Sequence, residues 1–433
     1  MRSSFQPPKT RAPEGAGTQA SPRRIDGTQA LLSSSVAFGL AVLACAVASC
    51  AESDGATAPL DSGASTLPEL DASSDAAPGA NCLDAGDGGG CEPRALSCAE
   101  ADFCEVPTGV EGRNTLLDVW GSSAQDVWAV GSGGTVIHWD GAAWTRVPIP
   151  WKDTLRSVGG SGVSDVWIVS SLNVVLHSSG FGTAAGFKLQ PLLYPVDPTN
   201  RSGAILSKVW ASGAGNLFVG GDPWISAPSV PSDSLWRFRF GASADQAWEP
   251  VSTFCRTLPC GRVDGIWGTS ASDVWVVGEN GAVRRSKGPV GDGGAEQWST
   301  METTRTTADL HGIWGSSASD VWIVGDRGTI RHWSNDASQS WAIVPSSTTR
   351  DLRAVWGTGP SDAWAVGDGG TILHWDGASW RSVTTTLPAG SQLRLNGVWG
   401  SGLDDVWVVG EAVALHFGSA KAVAVPVADG GPR

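Results

Sequence analysis

One pattern recurs seven times along the chain and limits what it can fold into more than any other feature. Each copy opens on L-x-x-V/I-W-G, crosses a short turn into D-V-W-x-V-G, then passes a glycine turn to T-I-x-H-W and a last W-x-x-V. The opening elements are LLDVWGSSAQDVWAVG at Leu116, LRSVGGSGVSDVWIVS at Leu155, LSKVWASGAGNLFVGG at Leu206, VDGIWGTSASDVWVVG at Val263, LHGIWGSSASDVWIVG at Leu310, LRAVWGTGPSDAWAVG at Leu352 and LNGVWGSGLDDVWVVG at Leu395. A period near 40 to 57 residues that holds four short strands is the mark of a propeller blade. Seven copies therefore predict an all-β, seven-bladed β-propeller of four-stranded antiparallel blades.

The strands themselves agree. In DVWAV, Val127 and Ala129 point one way and Trp128 and Val130 the other, so both faces are apolar and both need covering. A propeller sheet packed between two neighbours supplies that cover. The chain carries 23 Trp and 57 Gly but one Tyr and only 17% charged residues, which suits short strands and tight turns. An indole buries about 150–250 Å², whereas the largest apolar patch on a soluble monomer is about 300–600 Å². The repeated tryptophans are thus expected to be packing between blades rather than a ligand-gripping surface.

Repeated polar residues read the same way. Asp126, Asp165, Asp273, Asp320, Asp362 and Asp405 close the first turn, where a carboxylate accepts the turn's own amide protons. His138, His177, His332, His374 and His416 share one slot on the third strand and are expected to be hydrogen-bonded structural residues, since blade-to-blade spacing forbids a shared metal. No metal site, cofactor or catalytic residue is assigned. A net charge of −14 argues against nucleic acid as a partner.

Ahead of the repeats, Arg23 and Arg24 precede an apolar run from Val36 to Ser49, too short and too rich in small residues for a permanent span. The stretch ends in VASC, Val47 to Cys50, which resembles a bacterial lipobox. That resemblance implies a signal peptide over 1–49, cleavage before Cys50 and acylation of its thiol. The protein would then be exported and held on the cell envelope, at the outer membrane or cell surface, by lipid alone. Residues 50–104 read as the lipidated Cys and a flexible Cys-containing linker, whose stretch from Ala51 to about Gly90 is Ala, Ser, Asp, Gly and Pro, and residues 105–433 as the propeller. An oxidising compartment favours disulfides among Cys82, Cys91, Cys98, Cys104, Cys255 and Cys260, nearest-neighbour pairing being the simplest of fifteen connectivities. A metal cluster is the weaker reading. Either FCEVP (Phe103 to Pro107) or AVAVPV (Ala422 to Val427) can supply the outer strand of the last blade, and the C-terminal segment is favoured because it directly follows that blade.

The sixth unit, DAWAVGDGGTILHWDGASW (Asp362 to Trp380), resembles the sialidase-like, Asp-box type of propeller repeat, especially the units of bacterial and plastid photosystem assembly-factor propellers. The likeness covers roughly Leu116 to Phe417 and is one of blade, not of active site. WDGAAW (Trp139 to Trp144) and WDGASW (Trp375 to Trp380) are one residue short between Asp and Trp, and most units lack the box. Sialidase chemistry would need an arginine cluster and a Tyr/Glu pair, yet the single tyrosine, Tyr194, lies in an insertion.

Function is therefore sought where the repeat breaks. Three insertions, Pro191 to Ile205, Asp222 to Ser234 and Ser252 to Arg262, fall on one end of the second to fourth blades. Trp151, Tyr194 and Trp224 map to that end, as do Arg113, Lys152, Arg156, Arg201, Arg262, Arg305, Arg350, Arg353 and Arg394. The expectation is a basic, partly aromatic mouth with Trp151, Arg156, Tyr194, Arg201, Trp224, Arg262 and Arg353 as ligand-binding residues. The competing expectation is that the arginines pair with Asp153, Asp264, Asp309 and Asp351. The reading is of a monomeric binding or assembly scaffold for a protein, anionic or carbohydrate ligand. The alternative is a carbohydrate-active propeller enzyme, with Asp222, Asp233 and Asp264 as conceivable acids.

Overall fold

The computed structural model describes residues 95–418 apart from 183–185, 191–204, 214–215, 225–232, 240–247, 252–260, 290–295 and 335–339. Seven four-stranded antiparallel sheets follow one another in chain order, as the repeat predicts. The fifth blade is representative: its strands run Leu310–Ser317, Asp320–Gly325, Thr329–Trp333 and Ala342–Ile343 from the inside outward. The seven innermost strands, Leu116–Ser123, Leu155–Gly162, Leu206–Gly213, Val263–Ser270, Leu310–Ser317, Leu352–Gly359 and Leu395–Gly402, neighbour one another in a closed ring. They border a central channel of about 430 Å³.

Each second strand is sealed between sheets. Trp128, Trp167, Phe218, Trp275, Trp322, Trp364 and Trp407 occupy equivalent positions there, and none is more than 2% exposed. Trp322, for example, packs with Leu352, Val355 and Trp380 of the sixth blade. The turn into the third strand explains one repeated glycine. Gly328 has φ 66°, and a Cβ there would lie 2.0 Å from the Thr348 carbonyl oxygen. Only glycine fits both demands.

The ring closes at the chain's beginning rather than its end. Cys104 and Glu105 pair antiparallel with His416 and Leu415, adding the outer strand of the last blade. The expectation that AVAVPV would do so is thereby corrected. Phe103 provides the physical reason: it is fully buried, edge-on to Trp364 at 5.4 Å and beside Phe417 at 5.5 Å. Its flank is pinned by the Asp102 carboxylate, which accepts from the Thr384 amide at 2.8 Å and its hydroxyl at 2.7 Å. A disulfide joins Cys104, the first residue of this strand, to Cys98 upstream of it. Cys50, Cys82, Cys91, Cys255 and Cys260 lie outside the described residues.

Candidate functional site

The two ends of the propeller are built differently. At the end where first and second strands join, the repeated aspartate gathers side chains rather than mainly turn amides. Asp126 Oδ1 lies 2.7 Å from His138 Nε2 and accepts from Trp128 Nε1 at 3.1 Å, while Oδ2 accepts from Ser122 Oγ at 2.5 Å. The same carboxylate, imidazole and hydroxyl meet at Asp165, Asp320, Asp362 and Asp405. The expected turn amides are largely replaced because the neighbouring strand places an imidazole beside the turn. In four blades that imidazole also stacks on the sealed indole, with centroids 4.0–4.3 Å apart. The fourth blade carries Arg285 instead, which donates to Asp273 at 2.7 Å and lies 4.4 Å over Trp275. Burial alone would raise the carboxyls of Asp126, Asp165, Asp320 and Asp405, but the hydrogen bonds from histidine and serine outweigh it and hold them below the ordinary range. These trios repeat around the ring and serve the fold.

The opposite end, where the inner strands begin, carries no such repetition. At the second position of each inner strand stand Leu117, Arg156, Ser207, Asp264, His311, Arg353 and Asn396, all lining the channel. Arg262 donates to Asp264 at 2.7 Å and lies 3.3 Å from Glu279, and Arg353 binds Asp351 at 3.0 Å and Asp368 at 2.8 Å. Both guanidiniums are held above their ordinary pKa, first by the hydrogen bond to Asp264 or Asp368. His311 meets Asp326 at 2.7 Å and Arg394 meets Asp368 at 3.1 Å. The expected basic mouth is therefore a mixed-charge one at Arg262 and Arg353, whose charges are matched by carboxylates. Arg156 is exposed and Trp151 half-buried on this end. Tyr194, Arg201 and the Trp224 side chain lie outside the described residues.

Two features of this end add to the sequence reading, which names Asp222 and Asp264 only as conceivable acids. Asp222 sits beside Arg262, Asp264 and Glu279, and burial pushes its carboxyl up, with Arg262 pulling against that. Asp264 Oδ2 is buried with no hydrogen-bond partner among the described residues. The channel wall is the second. Trp120, Trp210, Trp267, Trp314, Trp356 and Trp399 of the inner strands line it and are only partly buried, so not every repeated indole is sealed packing. Among the described residues no cluster of His, Cys, Asp and Glu could hold a metal ion.

The fold is one that solved propellers share. A structure described as YCF48 bound to D1 peptide superposes with a TM-score of 0.55 at 16% identity, over 75% of this chain and 99% of that one. YCF48 from Cyanidioschyzon merolae gives 0.53 at 18%, over 73% and 98%. Virginiamycin B lyase from Staphylococcus aureus gives 0.54 at 14%, over 72% and 97%. At such identities the likeness concerns architecture. No protein-family model matches the chain, and no curated protein does.

Proposed function

We propose that this chain is an exported, lipid-anchored protein whose propeller is a binding scaffold, with the loop-bearing end and the channel behind it as the ligand face. The observation that carries the reading is the contrast between ends: one repeats a carboxylate, imidazole and hydroxyl trio in five of the seven blades, whereas the other sets unlike residues, from Leu117 and Arg156 to Asn396, at the second position of each inner strand around a channel of about 430 Å³. That volume is in the range of ligand-binding cavities. A propeller of the same architecture has been solved bound to a peptide, which supports a peptide segment as ligand here. Anchoring through Cys50, envelope localisation and the Asp-box kinship belong to the same proposal.

The test is binding of the full chain to an arrayed peptide library and, in parallel, to envelope polysaccharide fractions. Trp151→Ala combined with Trp224→Ala is expected to weaken peptide binding by about tenfold or more, as for aromatic anchors elsewhere. Leu403→Ala, on the opposite end, should leave it unchanged. Equal binding by the double variant and the unaltered chain would remove the loop end as ligand face. A second reading, a carbohydrate-active enzyme, is favoured by the raised Asp222 carboxyl beside Asp264. It requires polysaccharide turnover that Asp222→Asn abolishes.

A further inference from the structure

Five positions along, each inner strand follows a rule that only two blades break. Trp120, Trp210, Trp267, Trp314, Trp356 and Trp399 each lean over a small residue of the next blade: Gly160, Gly268, Gly315, Gly357, Gly400 and Gly121 respectively. The fit is close. A Cβ at Gly121 would lie 2.6 Å from Trp399 Cη2, and one at Gly400 would lie 2.6 Å from Trp356 Cη2. Six of the seven blade junctions are thus plugged at their inner edge by an indole. At the junction of the second and third blades the plug is missing, since Gly159 stands where the tryptophan belongs. The receiving residue has changed in step: Ala211 replaces the glycine that no indole now covers.

From these paired departures we infer that the junction of the second and third blades is a socket for one planar aromatic ring, supplied by a ligand. Gly159, Val209 and Ala211 line it, with Trp120 and Trp210 on either side, and all five border the channel. Its roof is polar and fixed. Asp118 accepts from Ser157 Oγ at 2.5 Å and from Lys208 Nζ at 2.9 Å, so an ion pair spans the second blade, and the Val209 amide donates to Ser157 Oγ at 3.2 Å. The chain itself shows what fits such a place, because an indole fills it at every other junction. Stacking against neighbouring indoles would hold an incoming ring in an offset or edge-on arrangement. On the loop end of these same two blades, Leu172 and Ile205 are 61% and 43% exposed, which adds apolar surface for a segment carrying that ring. The occupant is an aromatic side chain of a bound peptide; this source rests on the scaffold reading, whereas the socket does not.

The experiment titrates the full chain with N-acetyl-5-fluorotryptophanamide, followed by fluorine NMR, with N-acetylleucinamide as a non-planar competitor. Saturable one-site binding is expected, displaced by N-acetyltryptophanamide and not by the leucine compound. Gly159→Trp with Ala211→Gly rebuilds the seventh plug and should weaken binding at least tenfold. A Cβ at position 159 would lie 3.3 Å from the Val209 carbonyl oxygen, which must give by a few tenths of an ångström. Ala211→Leu therefore serves as the second variant, filling the socket from its floor with the same expected loss. Absence of binding to the unaltered chain, equal displacement by the leucine compound, or undiminished binding in a folded filled variant would each overturn the socket. Probe binding without any peptide binding would sink the scaffold reading and leave the socket standing.

Discussion

Two tryptophans in one blade, Trp314 and Trp322, face each other across adjacent strands yet belong to different parts of the molecule. Trp322 is fully buried among residues of the sixth blade, while Trp314, one strand nearer the axis, borders the channel and is partly open. Residue type and local pattern are the same. What separates them is distance from the axis, because closing a ring of sheets seals the spaces between blades and leaves an inner edge uncovered. Identical side chains thus become architecture in one circle and a lining in the other.

The comparison is broken or sharpened first by truncation. Trp322→Ala removes a sealed ring and should cost about 3–5 kcal/mol. Trp314→Ala, whose site is already half open, should cost about 1–2 kcal/mol. Denaturant midpoints of the two variants check this, and equal losses would erase the distinction.

A smaller effect separates the two ends. Asp320→Asn disrupts the trio with His332 and Ser316 and should cost about 1–2 kcal/mol near neutral pH. The folded-state carboxyl is held below its ordinary value, so its contribution is complete above the unfolded value of about 3.9 and is lost as pH falls through the lower folded value. Urea midpoints measured against pH should show the variant and the unaltered chain converging in acid. A gap that stays constant to low pH would contradict the assignment.

The smallest effect concerns the fourth blade, one of two in which an arginine stands in the histidine slot, the other being the third with Arg237 on Asn216 and over Phe218. Arg285 both hydrogen-bonds Asp273 and lies over Trp275, the two tasks histidine performs elsewhere. Arg285→His should shift stability by less than about 1 kcal/mol. A larger loss would mean that the fourth blade depends on the guanidinium for something the trio does not include.

Much of this was legible in the sequence for a definite reason. The seven-bladed ring follows from a repeat whose second strand is apolar on both faces, and the slots of Asp126 and His138 announce a structural role by recurring. Trp120 and Trp128 carry no such distinction in sequence, since an inner edge exists only after the circle closes. A signal was present nonetheless: Gly159 and Ala211 depart from the repeat together, each at the position that meets the other's blade. The mouth was harder to read because its ion pairs are tertiary; Arg394 reaches Asp368 from the neighbouring blade, and Arg262 lies near Asp309 of the next. Ring closure turned on Phe103, whose burial against Trp364 no short-strand pattern could reveal.

Hydroxyl-radical footprinting of the native full chain, read by mass spectrometry tryptophan by tryptophan, probes the two circles together. The account predicts oxidation of Trp120, Trp210, Trp267, Trp314, Trp356 and Trp399 while Trp128, Trp167, Trp275, Trp322, Trp364 and Trp407 stay protected until the chain unfolds. Oxidation of both sets at one rate, or of the second set first, would contradict it.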